Sequence, residues 1–123
     1  MRTILLVVAL GVAVPARAGD RRWTATDWAM GAAFVAAVVS DYGQTRYVLA
    51  HHPAVYETNP LLGRDPSDAR LLTVCVGAVA VHAAVAVALP TKWRRYWQLV
   101  TVTAAFTNDY GIAVAHGGLR FSF

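Results

Sequence analysis

Cysteine is nearly absent from this chain. Cys75 stands alone, so no internal disulfide forms and no paired thiolates exist to hold zinc. Charge is scarce as well. Asp, Glu, Lys and Arg make up 15% of the 123 residues, where soluble domains carry about 25%. There is no glycine-rich phosphate loop, no G-x-S-x-G elbow and no H-E-x-x-H pair. Internal repeats and low-complexity linkers are missing too. These absences exclude a disulfide-framed secreted domain and the best-known signatures of nucleotide, serine-hydrolase and zinc-protease chemistry. What fills the chain is apolar: 57% hydrophobic residues, with a mean hydropathy of +0.44. That excludes disorder, and the length leaves room for one compact unit.

Eleven Lys and Arg against seven Asp and Glu give a net charge of +4. The positives stand singly or in pairs beside apolar runs: Arg21 and Arg22, Arg64, Arg70, Lys92, Arg94 and Arg95, and Arg120. Nucleic-acid binding needs them clustered on a wet surface. Scattered basic residues at the ends of apolar runs fit lipid head groups instead. The expected partner is therefore a lipid bilayer, not nucleic acid.

The N-terminus reads as a secretory signal peptide over residues 1–18. A short positive start is followed by the apolar run 4–14, by Pro15, and by Ala16, Arg17 and Ala18 in a small-x-small cleavage pattern. The run is too short to span a bilayer comfortably. Whether cleaved after Ala18 or retained as an anchor, it lies outside the functional part, which is a single domain over residues 19–123.

Three longer runs follow, at about residues 28–50, 70–89 and 93–115. Each has about the length a helix needs to cross some 30 Å of hydrocarbon. They are Ala-rich and lack period-two alternation, which excludes strands. Thr26 and Asp27 read as the start of the first, Asp65 as the cap of the second with Pro66 at its first helical position, and Thr91 as the cap of the third. Gly117 and Gly118 supply its stop. Trp23, Trp28, Trp93, Tyr96 and Trp97 gather near run ends, as interfacial aromatics do. Ala80, Ala84 and Ala88 recur every fourth residue, the spacing of close helix packing in lipid. The expected fold is all-α, a transmembrane three-helix bundle behind the signal peptide, set as a multi-pass protein in a bacterial inner membrane.

Polar groups inside such spans need an account, since an ionisable side chain there costs about 2.5–3.5 kcal/mol on insertion scales. Asp41, Gln44 and Thr45 are spaced i, i+3, i+4 and share one face. His82 sits in the middle of the second run, and Asn108 and Asp109 in the third. Two readings compete. In one, Asp41, His82 and Asn108 satisfy one another and fix helix packing. In the other, they form a site, with Asp41 as proton acceptor or cation ligand, His82 as relay, Asn108 as orienting donor and Glu57 as an acid/base group.

The connection at residues 51–67 is the most distinctive segment. Pro53, Pro60 and Pro66 stiffen it, and Asn59 followed by Pro60 starts a turn. Glu57 is placed to accept a backbone N–H from Tyr56 or Asn59, or to fold back toward Arg46 or Arg64. If the loop closes over the helix ends, Asp41 and Glu57 form a carboxylate pair. His51, His52 and Glu57 have the residue types of a zinc site but not its spacing, so neither a metal nor any other cofactor is expected.

The order Asp41-Tyr42-Gly43-Gln44-Thr45, then Tyr56-Glu57-Thr58-Asn59-Pro60-Leu61-Leu62-Gly63, then His82 and Asn108, resembles a group of small phage- and prophage-associated bacterial membrane proteins with the pattern D-x-x-Q-T … E-x-N-P-x-L-G. The resemblance runs over residues 27–123 and implies a bacterial or phage origin but no activity. The signal-like extension departs from that pattern. On this reading the chain is a non-enzymatic membrane factor that packs against itself, as a homo-oligomer, or against a host membrane protein. The alternative is a membrane enzyme or an ion or proton carrier using the Asp/His/Asn cluster. The tail at residues 119–123, with alternating aromatics, reads as a short amphipathic strand or interfacial anchor.

Overall fold

A computed structural model describes residues 22–123 apart from 53 and 58. The expected signal peptide, its cleavage point and Pro53 lie outside the described residues. Three helices follow one another: α1 (Ala25–His51), α2 (Asp68–Ala88) and α3 (Thr91–Ala115). No strand occurs among the described residues. The three runs read from the sequence are therefore the three helices.

The helix starts differ from expectation for local reasons. Thr24, not Thr26 or Asp27, caps α1. Its hydroxyl oxygen accepts the Asp27 N–H at 3.2 Å, and the Asp27 carboxylate accepts the Thr24 N–H at 2.7 Å. This reciprocal box satisfies two donors that the first turn leaves orphaned. Ser67, not Asp65, caps α2, accepting the Arg70 N–H at 3.3 Å, so Pro66 precedes the cap. Pro90 occupies the cap of α3 with no side-chain bond, and Thr91 is already helical. The C-terminus of α3 follows the glycine expectation. Gly118 N–H reaches the Ala113 carbonyl at 2.7 Å, and Gly117 takes a φ of 73°.

Only Leu89 and Pro90 separate α2 from α3, so these two run antiparallel. The up-down-up order leaves α1 and α3 parallel, and theirs is the largest of the three interfaces. Phe34, Val79 and Val102 meet at mid-height. Tyr42, Leu62 and Leu71 form a second cluster under the loop.

Within the helices the polarity is partly inverted relative to a water-soluble bundle. Asp27 and Arg94 are 0% exposed, and Gln44, Gln98, His82 and Asp109 are also buried. Val100, at 63%, and Phe106, at 49%, face outward together with Val81, Leu99, Tyr110 and Val114. By length and composition, one helix among the described residues, α2, is apolar enough to cross a membrane, with a mean hydropathy of 2.3 over its best window. All three runs have the length, but α1 and α3 fall short on apolarity because polar residues such as Asp41, Gln44, Gln98, Asn108 and Asp109 interrupt them.

The tail is not a strand. It turns back along α1, where Ser122 N–H donates to the Gly43 carbonyl at 3.0 Å and Arg120 to the Tyr47 hydroxyl at 3.1 Å. Phe121 and Phe123 stack with centroids 6.0 Å apart over Gly43. A Cβ at position 43 would stand 3.0 Å from the Phe123 ring, so the close approach depends on glycine.

Candidate functional site

The loop motif builds its own scaffold. Glu57 Oε1 accepts the Asn59 N–H at 2.8 Å, and Asn59 Oδ1 accepts the Leu61 N–H at 3.0 Å. The Asn59 carbonyl then takes Leu62 N–H at 3.0 Å and Gly63 N–H at 3.1 Å. Pro60 sits inside this turn with its φ preset, and Gly63 adopts a φ of 77° that favours glycine. Arg70 closes the turn from α2, donating Nε–H to the Leu61 carbonyl at 3.1 Å. Leu62 is thereby driven between Tyr42 and Leu71, which pins the loop to the bundle. The residues Glu57, Asn59, Pro60 and Gly63 thus have a mechanical explanation. Glu57 takes the Asn59 option and leaves Arg46 and Arg64 to other partners. Arg46 pairs with Asp68 at 2.9 Å, and Arg64 lies over the Tyr56 ring at 4.4 Å.

The pinned loop closes over the ends of α1 and α3 and encloses an open pocket of about 290 Å³. Its polar lining is Asp41, Thr45, Tyr56, Glu57, Asn59, Asn108 and His116, and its apolar floor includes Val48, Leu62 and Ile112. Asn108 donates Nδ2–H to Asp41 Oδ1 at 2.7 Å. Asp41 and Glu57 therefore share one cavity, as loop closure required. Among the described residues no Lys or Arg lines it, so its field is that of two carboxylates.

Two of the expected members lie elsewhere. His82 does not line this pocket. Its Nδ1 lies 3.0 Å from the Thr101 hydroxyl, and its ring stacks on Phe34 at 4.0 Å between centroids. Thr101 lies two turns from Asn108, about 10 Å along the helix. Because Thr101 donates to the Trp97 carbonyl at 2.8 Å, it accepts from His82 Nδ1–H, which fixes the tautomer. Asp41, His82 and Asn108 accordingly do not satisfy one another as a trio. Only Asp41 and Asn108 do.

The face shared by Asp41, Gln44 and Thr45 also divides. Asp41 and Thr45 turn to the pocket. Gln44 donates to the Ser40 hydroxyl at 3.2 Å, and that hydroxyl bonds the Asp109 carboxylate. Asn108 and Asp109 are neighbours about 100° apart on α3 and so bracket its contact with α1. One flank holds Asp41 and Asn108, the other Gln44, Ser40 and Asp109. No group of three His, Cys, Asp or Glu stands together as a metal site among the described residues.

Two groupings differ from the sequence reading. By spacing, His116 shares a face with Asp109 seven residues earlier; in the structure it lines the pocket with Asn108 and Ile112, at i, i+4, i+8 spacing. The second grouping lies at the opposite end of the bundle. Arg94 Nη1 lies 3.5 Å from Asp27 Oδ2, Arg94 Nε–H donates to the Ala86 carbonyl at 2.9 Å, and Gln98 donates to the Asp27 carbonyl at 2.9 Å. Trp23 covers the guanidinium at 5.0 Å. Arg94 had read as an interfacial positive charge. It is instead a fully buried partner joining all three helices.

Compared with protein-family models, curated proteins and solved structures, the chain matches none.

Proposed function

We propose that this chain is a small multi-pass protein of a bacterial cytoplasmic membrane whose acidic end pocket binds an ammonium-bearing group without chemically altering it. The partly inverted polarity of the bundle supports the membrane setting. Asp27, Arg94 and Asp109 turned inward and large apolar side chains turned outward on α3 suit hydrocarbon as the surrounding solvent. The D-x-x-Q-T and E-x-N-P-x-L-G resemblance supports a phage- or prophage-associated setting.

The observation that carries the binding role is the meeting of Asp41, Glu57 and Asn108 in one open cavity, where no described cation neutralises them. A primary ammonium offers three N–H donors, and this lining offers acceptors from carboxylates, side-chain amides and a hydroxyl. His116 adds a further nitrogen at the rim.

Titration of the detergent-solubilised chain with butylammonium tests this, with the Asn108 side-chain amide followed by NMR. A saturable shift, lost in Asp41→Asn, is the expected result. No saturable shift in the native chain would refute the binding role.

A second reading, association with itself or with a host membrane protein, is favoured by the exposed stripe Ala80, Ala84 and Ala88 on α2. Crosslinking in native membranes distinguishes it by a discrete dimer or heterocomplex.

A further inference from the structure

The acidic pocket does not end at Asp41. A second cavity of about 280 Å³ opens on its other side and runs between α1 and α3. Asp41 and Asn108 line both cavities, so the bonded pair forms the threshold between them. Beyond it the lining becomes apolar: Phe34, Ala37 and Val38 from α1, and Ala104 and Ala105 from α3. The one hydroxyl there, Thr101, is occupied by the Trp97 carbonyl and His82 Nδ1. From Asp41 to Phe34 the furrow follows about 10 Å of helix. Together the cavities fall within the roughly 300–1,000 Å³ common for small-ligand sites.

The joined shape has a charged, hydrogen-bonding head and a narrow apolar extension. A free small amine fills the first part and leaves the second empty. The outward residues bordering the furrow on α3 include the apolar Val100 and Ala104.

We propose that the group bound at Asp41 is the head of a single-chain amphiphilic amine, whose alkyl tail lies in the furrow between α1 and α3. This rests on the ammonium-binding reading of the Asp41 pocket. The small residues Ala37, Ala104 and Ala105 make room for the chain, and the Asp41–Asn108 pair marks where hydrocarbon gives way to the charged head.

Native mass spectrometry of the full chain released from neutral detergent tests the proposal with three probes: dodecylammonium, butylammonium and dodecanol. Dodecylammonium should be retained as a one-to-one adduct at least tenfold more strongly than either of the others. Asp41→Asn should lower its retention at least tenfold. Ala105→Phe, which fills the furrow floor, should cut the advantage of the long amine over the short one to less than twofold. Ala104→Trp at the exposed mouth should do the same, and it keeps the test alive if Ala105→Phe fails to fold. An undiminished chain-length advantage in both variants would overturn the proposal. Equal retention of long and short amines by the native chain would overturn it as well, while leaving the Asp41 head pocket standing. Failure of both amines to bind would remove the head pocket too.

Discussion

The two ends of this bundle solve the same problem in opposite ways. Each sets an aspartate of α1 against a polar residue of α3, fully buried at Asp27 and half-buried at Asp41. At the Asp27 end the partner is a cation: Arg94 lies 3.5 Å from the carboxylate and donates to the Ala86 carbonyl, Gln98 donates to the Asp27 main-chain carbonyl, and Asp27 and Arg94 are both fully buried. At the Asp41 end the partner is a neutral amide, Asn108, and the surroundings open into a cavity under a stiffened loop. A neutralised, enclosed pair holds helices together. A carboxylate left without a cation and with room beside it is where the proposed amine would sit.

That contrast breaks most readily at the sealed end. Arg94→Met strands the Asp27 carboxylate and should cost about 3–5 kcal/mol of stability, as loss of one partner of a buried pair does. Adding Asp27→Leu should recover part of the loss, read by denaturant unfolding in neutral detergent. In the loop, Gly63→Ala forces a side chain into positive φ and should cost about 1–2 kcal/mol. It should also raise hydrogen exchange over residues 55–64, because the turn positions the pocket cover.

At the open end Asp41→Asn should change stability by only about 0.6 kcal/mol, the mean for an interhelical hydrogen bond in a membrane, while abolishing amine binding. A stability loss there as large as that of Arg94→Met would erase the contrast. The smallest net effect belongs to Gly43→Ala. Its methyl group displaces the Phe123 ring, but the helix gains about 0.5–1 kcal/mol from replacing glycine. Stability should hardly move while the tail at residues 119–123 becomes protease-sensitive.

Much of this architecture was legible in the sequence. The three helices follow from apolar length bounded by Pro and Gly, and of the expected Asp41, His82 and Asn108 trio the Asp41–Asn108 bond is present. Glu57 accepting from Asn59 follows from the turn chemistry of Asn-Pro. The rest depended on three-dimensional phase. Arg94 next to Arg95 reads as an interfacial pair, and nothing local says that one of the two turns inward to meet an aspartate 67 residues earlier. His82 looked like a partner for Asp41 because both are mid-helix polar groups. Its height on α2 instead sets it beside Thr101. Asp109, adjacent to Asn108, falls on the other flank of α1 for the same reason. Local caps were misread by two residues, because Thr24 with Asp27 and Ser67 with Arg70 outcompete the nearer candidates.

Hydrogen–deuterium exchange of the native chain in neutral detergent, with and without dodecylammonium, tests the division of labour most directly. Protection confined to residues 34–45, 55–62 and 101–112, with residues 24–30 and 86–98 unchanged, is the predicted result. Protection centred on the Asp27–Arg94 end, or no change at either end, would contradict it.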